Sequence, residues 1–142
     1  MDRGIYCLLL ENGPAEVAVG SLGTLRFCRG WHLYVGSALG PGGLARMERH
    51  RRLHRDRDRL PRWHIDHLLL SPAFRLTATV SAETGEDLEC RLAEALGPPF
   101  VPGFGCSDCT CPSHLFHRES NPRKEVTDAF QSLDLTPVIT TL

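Results

Sequence analysis

Residues 4–11 read GIYCLLLE, and the chain then stops at Asn12-Gly13-Pro14. A short, almost unbroken apolar run that ends on a turn signal reads as a buried β-strand. Residues 31–38, WHLYVGSA, have the same character and follow the release at Gly30. Two short β-prone stretches lie between them, 15–20 (AEVAVG) and 23–28 (GTLRFC), and read as a hairpin across Ser21-Leu22.

Downstream, Pro41-Gly42-Gly43 breaks the second long strand and opens a helix over 44–54, with Leu44, Met47 and Leu53 towards the core and the arginines outward. A charged loop covers 56–61, and 62–70 (RWHIDHLLL) reads as a short helix interrupted by Pro72. Residues 74–81 (FRLTATVS) alternate as a half-buried strand does. Thr84 is placed to cap a helix over 85–96 with Leu88, Leu92, Ala95 and Leu96 on its buried face. Residues 98–116, dense in Gly, Pro and Cys, read as loop. Asn121 and Pro122 open a last helix to 133, and 135–142 is either an edge strand or a disordered tail. The expectation is α+β: a small, mainly antiparallel central sheet flanked by helices, with an extra hairpin between its two long strands. One domain covers 1–142, with its core over 4–117 and a C-terminal helix and tail over 118–142.

The length of 142 residues with 42% hydrophobic content fits one core rather than two. No apolar run approaches the roughly 18 residues of a membrane helix, and the start lacks a secretory leader. A cytoplasmic protein with no membrane partner is expected. In that compartment the six cysteines should be reduced thiols or metal ligands rather than a disulfide framework, with Cys7, Cys28 and Cys90 most simply in the core. A net charge of −1 exerts no long-range pull on a polyanion. The average hides a local excess: Arg46, Arg49, Arg51, Arg52, Arg55, Arg57, Arg59 and Arg62 face only Glu48, Asp56 and Asp58 within the same stretch.

Gly4-Ile5-Tyr6 and Tyr34-Val35-Gly36 resemble the two signature tripeptides of the GIY-YIG nuclease superfamily, with Val in place of Ile. Arg46 and His50 follow at i, i+4, on one helix face, and match that family's arginine and second polar residue. His64 lies where some members carry a further histidine, and Glu89 matches the metal-binding glutamate. The segments WHID at 63–66 and SDCTC and SHLF beyond 106 resemble the Uri-type endonuclease subgroup, which is similar also in its longer gap between the tyrosines. The asparagine that many members carry after the glutamate helix is missing; either Ser107 or Asp108 fills that place or the function is altered.

The resemblance implies a metal-dependent endonuclease acting on nucleic acid, with DNA the expected partner. Phosphodiester hydrolysis needs a base to activate water and positive charge where negative charge grows. By resemblance Tyr6 is the general base, which requires its pKa to fall from about 10. Arg46 grips the phosphate through its fork of donors. Tyr34 and His50 hydrogen-bond the phosphate or water, His64 is a further catalytic candidate, and Glu89 holds Mg²⁺ or Mn²⁺. Arg49, Arg52 and Arg55 are candidate contacts to the phosphate backbone.

Cys106, Cys109, Cys111, His114 and His117 form a second cluster. Thiolates and imidazoles at short spacing can bind Zn²⁺, although the spacing is not that of a standard finger; alternatively, Asp108 and His114 line the nuclease cleft. His64 and Asp66 form an orienting pair only if their segment is extended, because in a helix they diverge. Two other readings stay open: a nucleic-acid-binding module that keeps the fold without cutting, and a zinc-stabilised interaction domain.

Overall fold

The computed structural model describes residues 3–105 and 111–142. The expectations for Cys106, Ser107, Asp108 and Cys109 lie outside the described residues.

Among the described residues seven strands and four α-helices follow one another as β1 (Gly4–Asn12), β2 (Ala15–Ala18), β3 (Thr24–Phe27), β4 (Gly30–Ala38), α1 (Arg46–Asp56), α2 (His64–Leu69), β5 (Phe74–Glu83), α3 (Glu89–Leu96), β6 (Leu115–Arg118), α4 (Arg123–Ser132) and β7 (Val138–Thr141). Five strands make the central sheet in the order β6-β4-β1-β5-β7, and each neighbouring pair is antiparallel. β2 and β3 form the separate hairpin between the two long strands, so the α+β expectation holds.

The apolar run of β1 is explained by its central position. Ile5, Cys7 and Leu9 pack on one face with Leu92, Val126 and Phe130 of α3 and α4. Tyr6, Leu8 and Leu10 pack on the other with Leu53, Ile65 and Leu68 of α1 and α2 and with Phe27 of the hairpin. A strand covered on both faces has no polar side, which removes the period-2 alternation from its sequence. The two signature glycines are steric requirements of the same pairing. A Cβ at Gly4 would overlap the Ala82 carbonyl on β5, and one at Gly36, opposite Tyr6 in the β1–β4 register, would overlap the Tyr6 ring.

Three details differ from the sequence expectation, and one open choice, the tail, is decided. β6 is an edge strand of the sheet that begins within what reads as loop; its four residues pair with 31–34 of β4. α3 starts at Glu89, later than expected, because Thr84 Oγ1 accepts the Glu86 N–H and closes a local turn instead of capping a helix. Its buried face uses Ala93 where Ala95 was expected. The tail is an edge strand, β7, on β5. Among the described residues no helix is long and apolar enough to cross a membrane.

Candidate active-site cleft

A cleft of about 880 Å³ opens beside the β1–β4 pair, and Tyr6, Tyr34, Arg46, His64 and Glu89 all line it. These residues come from β1, β4, α1, α2 and α3, so the fold brings together side chains spread over 84 positions. His50 stands directly behind Tyr6, with its Nε2 2.8 Å from the Tyr6 hydroxyl. Glu86, three positions before Glu89, is exposed and lies outside the cleft lining.

Tyr6 is 2% exposed and His50 1%. His50 is neutral: burial lowers its pKa to about 4, opposed by Asp66 and reinforced by Arg49 and Arg46. Its Nδ1 has no hydrogen-bond partner among the described residues. A buried N–H without an acceptor costs more than an unfilled lone pair, which places the proton on Nε2. His50 thus donates to the Tyr6 oxygen. Tyr6 itself does not meet the requirement of a lowered pKa. Burial, then the neighbouring Tyr34 and Glu89, push its hydroxyl well up, against the lowering effect of Arg46 and Arg49. In the cleft as it stands Tyr6 is a neutral hydroxyl.

The arginines divide by what holds them. Arg46 Nη1 donates to the Ser37 carbonyl at 3.0 Å, and its guanidinium lies 5.4 Å from the Trp63 ring centroid. Arg49 is committed elsewhere than to a ligand: it makes a two-point bond to the buried Asp66 carboxylate at 3.2 and 3.1 Å and stacks 4.1 Å over Trp63. Burial alone would raise the pKa of Asp66. Hydrogen bonds from Arg49 and from the backbone N–H groups of Arg62 and Trp63 more than offset that and hold it low. Asp66 therefore caps α2 and anchors Arg49 at once. Arg52 and Arg55 are exposed on α1 and lie outside the cleft lining, Arg55 paired with Asp56. Arg62 and Arg91 do line it, with Trp63 38% exposed between the α1 arginines and the opening. These three were missed as site residues; the exposed aromatic within an arginine-rich stretch was the available signal.

His64 and Asp66 diverge, as a helix requires. His64 Nδ1 accepts the Gly105 N–H at 2.8 Å, and its pKa is lowered by burial and by His67. Its remaining proton is then on Nε2. Glu89, whose side chain is 19% exposed at the start of α3, has Oε1 2.7 Å from Nδ1 of the buried His114. Cys111 and His114 do come together, but their neighbour is Cys90, not a core residue as expected: Cys90 and Cys111 are joined in a disulfide against the expectation of reduced thiols. Cys7 is in the core, whereas Cys28 is exposed.

A fold with a concave site of this make-up defines a small α+β protein with a polar cleft fed from five elements. The chain belongs to the family described as "Domain of unknown function DUF123", whose model matches residues 5–135. No curated protein and no solved structure matches it.

Proposed function

We propose that this protein is a metal-dependent endonuclease of the GIY-YIG type, close to the Uri subgroup, that hydrolyses phosphodiester bonds in DNA in the cytoplasm. The observation that carries the reading is the convergence of Tyr6, Tyr34, Arg46, His64 and Glu89 on one cleft, with His50 bonded behind Tyr6. A large, open cleft with cations on its walls suits a polyanion better than an apolar metabolite.

Glu89 is the carboxylate that fits a hard divalent cation, since one of its oxygens meets His114 and the group stays partly exposed to the cleft. Mg²⁺ or Mn²⁺ held there would supply Lewis-acid charge and lower the pKa of a bound water. Arg46, anchored on the Ser37 carbonyl, offers its remaining donors to the scissile phosphate. Tyr34 and His64, through its Nε2–H, supply further donors to phosphate or water.

Tyr6 acts as base only as the phenolate, which burial and the Tyr34 and Glu89 charges oppose; the His50 Nε2–H bond and the Arg46 and Arg49 charges favour it, and a cation bound at Glu89 would remove one of the opposing charges. The phenolate takes a proton from the attacking water. Hydroxide then forms the new P–O bond, the opposite P–O bond breaks, and the leaving oxygen is protonated from solvent. Trp63, exposed at the opening, offers a stacking surface to an unpaired base.

The deciding experiment is a cleavage assay over duplex, branched and single-stranded DNA and RNA with Mg²⁺, Mn²⁺ or chelator. Metal-dependent cutting abolished by Glu89→Ala is expected. Tight binding without cutting on every substrate would leave only the binding-module reading, which the raised pKa of Tyr6 favours.

A further inference from the structure

We infer that Cys90, Cys111 and His114 form a second, soft-metal site that takes Zn²⁺ when the protein is reduced. The donor atoms of these three residues all lie within 4.8 Å of one another. They come from two places in the chain, the first turn of α3 and the segment entering β6. His114 is the informative member. Its Nδ1 is 2.7 Å from the Glu89 carboxylate, while its Nε2 is 2.9 Å from Cys111 Sγ. A carboxylate on Nδ1 fixes the proton there and leaves the Nε2 lone pair directed at the sulfurs, which is how metal-bound histidines are usually oriented. Two sulfurs on one zinc ion stand about 3.8 Å apart for Zn–S bonds of about 2.3 Å, so only small side-chain movements separate the present cluster from a loaded site.

In this structure the two sulfurs are a disulfide, which excludes the ion. Two equivalents of a monothiol such as glutathione reduce it to two thiols and leave as their own disulfide. Zn²⁺ would then displace both thiol protons to solvent and form two Zn–S bonds and one Zn–N bond to His114, with a water in the fourth tetrahedral position. The same clamp between α3 and β6 is thereby kept in both redox states. It holds the residue beside Cys90, which is Glu89, against the cleft. The site does not depend on nuclease activity, and it differs from the hard-cation site by its sulfur donors.

The test is made on the full chain purified with a thiol reductant and without chelator. Elemental analysis should find about one zinc per chain. Co²⁺ exchanged into the protein should give thiolate-to-cobalt charge transfer and tetrahedral d–d absorption. Cys90→Ser, Cys111→Ser and His114→Ala should each lose the zinc, whereas Cys28→Ser keeps it. Glu89→Gln should weaken zinc about 10- to 100-fold in competition with a chromophoric chelator, since it acts only through His114. Reduced wild-type protein, with Cys90 and Cys111 shown to be free thiols, that neither carries zinc nor develops the cobalt charge-transfer band would overturn the site. That result is read without any variant that must fold, and a failure to cut DNA leaves it unaffected.

Discussion

Two buried histidines on the same side of the sheet have nearly the same titration behaviour, and only one of them is bonded to a residue that lines the cleft. Burial and the nearby His117 depress the pKa of His32 on β4 to about 3, and burial depresses that of His50 on α1 to about 4. Their partners differ. His32 Nδ1 donates to Asn12 Oδ1 at 2.7 Å, and Asn12 in turn donates to the Gly13 and Cys28 carbonyls, so the chain of bonds ends in the hairpin's own backbone. The ring is edge-on to Phe27 and Phe74. His50 bonds a tyrosine that lines the cleft, under the charges of Asp66, Arg49 and Arg46. A perturbed pKa marks both sites; only what the bond leads to separates structure from chemistry.

The sharpest way to break this contrast is at the oxygen His50 holds. Tyr6→Phe removes one hydroxyl and leaves the ring that Gly36 accommodates, so the expected outcome is a loss of roughly 10²- to 10⁴-fold in kcat with an unchanged circular dichroism spectrum. Parent-level cleavage by this variant removes Tyr6 from the mechanism. The second effect compares the histidines directly. His50→Ala should lower kcat at least tenfold beyond any loss of folded protein, with His50→Gln, which keeps a donor, recovering part of it. His32→Ala should cost about 1–3 kcal/mol by orphaning the Asn12 oxygen while kcat per folded molecule stays at the parent value. Equal kcat losses for the two alanine variants would dissolve the distinction.

That distinction was half visible in the sequence. The signature tyrosines, Arg46, His50 and Glu89 were legible through a resemblance in motif and order, on elements whose type the local pattern reveals, and the fold then had only to bring those elements together. β6 was not legible: it is four residues long, follows a Gly-, Pro- and Cys-rich segment, and becomes a strand only because β4 offers it an edge. The engagement of Arg49 was hidden for a related reason, since its partner Asp66 lies 17 positions away and nothing local distinguishes Arg49 from Arg52. Cys90 looked like core because it borders the apolar stripe of α3, and its partner is 21 positions distant. Where a role depends on one long-range pair, the sequence shows the residue but not the role.

Trp63 gives a smaller effect that sharpens the cleft side of the comparison. It rests on Arg49 and Arg46 while 38% exposed, and a stacked base is worth about 1–3 kcal/mol. Trp63→Ala is expected to raise the Kd for single-stranded or frayed DNA about tenfold and to leave Kd for intact duplex less affected. Fluorescence anisotropy with matched oligonucleotides measures both, and equal weakening would point to a packing role under the arginines instead.

The smallest effect is on stability against pH, where the two histidines should act alike. Each has a folded pKa below its unfolded value of about 6.5. As pH falls below 6.5 the unfolded chain takes up protons that the folded one refuses, so stability is full above pH 6.5 and declines until pH passes the folded values of about 3 to 4. Each group contributes up to about 1.4 kcal/mol per pH unit in that window. Asp66, held low by Arg49 and two backbone N–H groups, adds a decline in the same direction only below its ordinary carboxylate range. Urea midpoints at pH 7, 6 and 5 should therefore fall for the parent, more between pH 6 and 5 than between 7 and 6, and less steeply for His32→Ala, the variant that removes one of the refusing groups, which also include His64. A midpoint that does not move between pH 7 and 5 would mean that both rings protonate in the folded state, and the burial that keeps His32 neutral would be the first claim to fail.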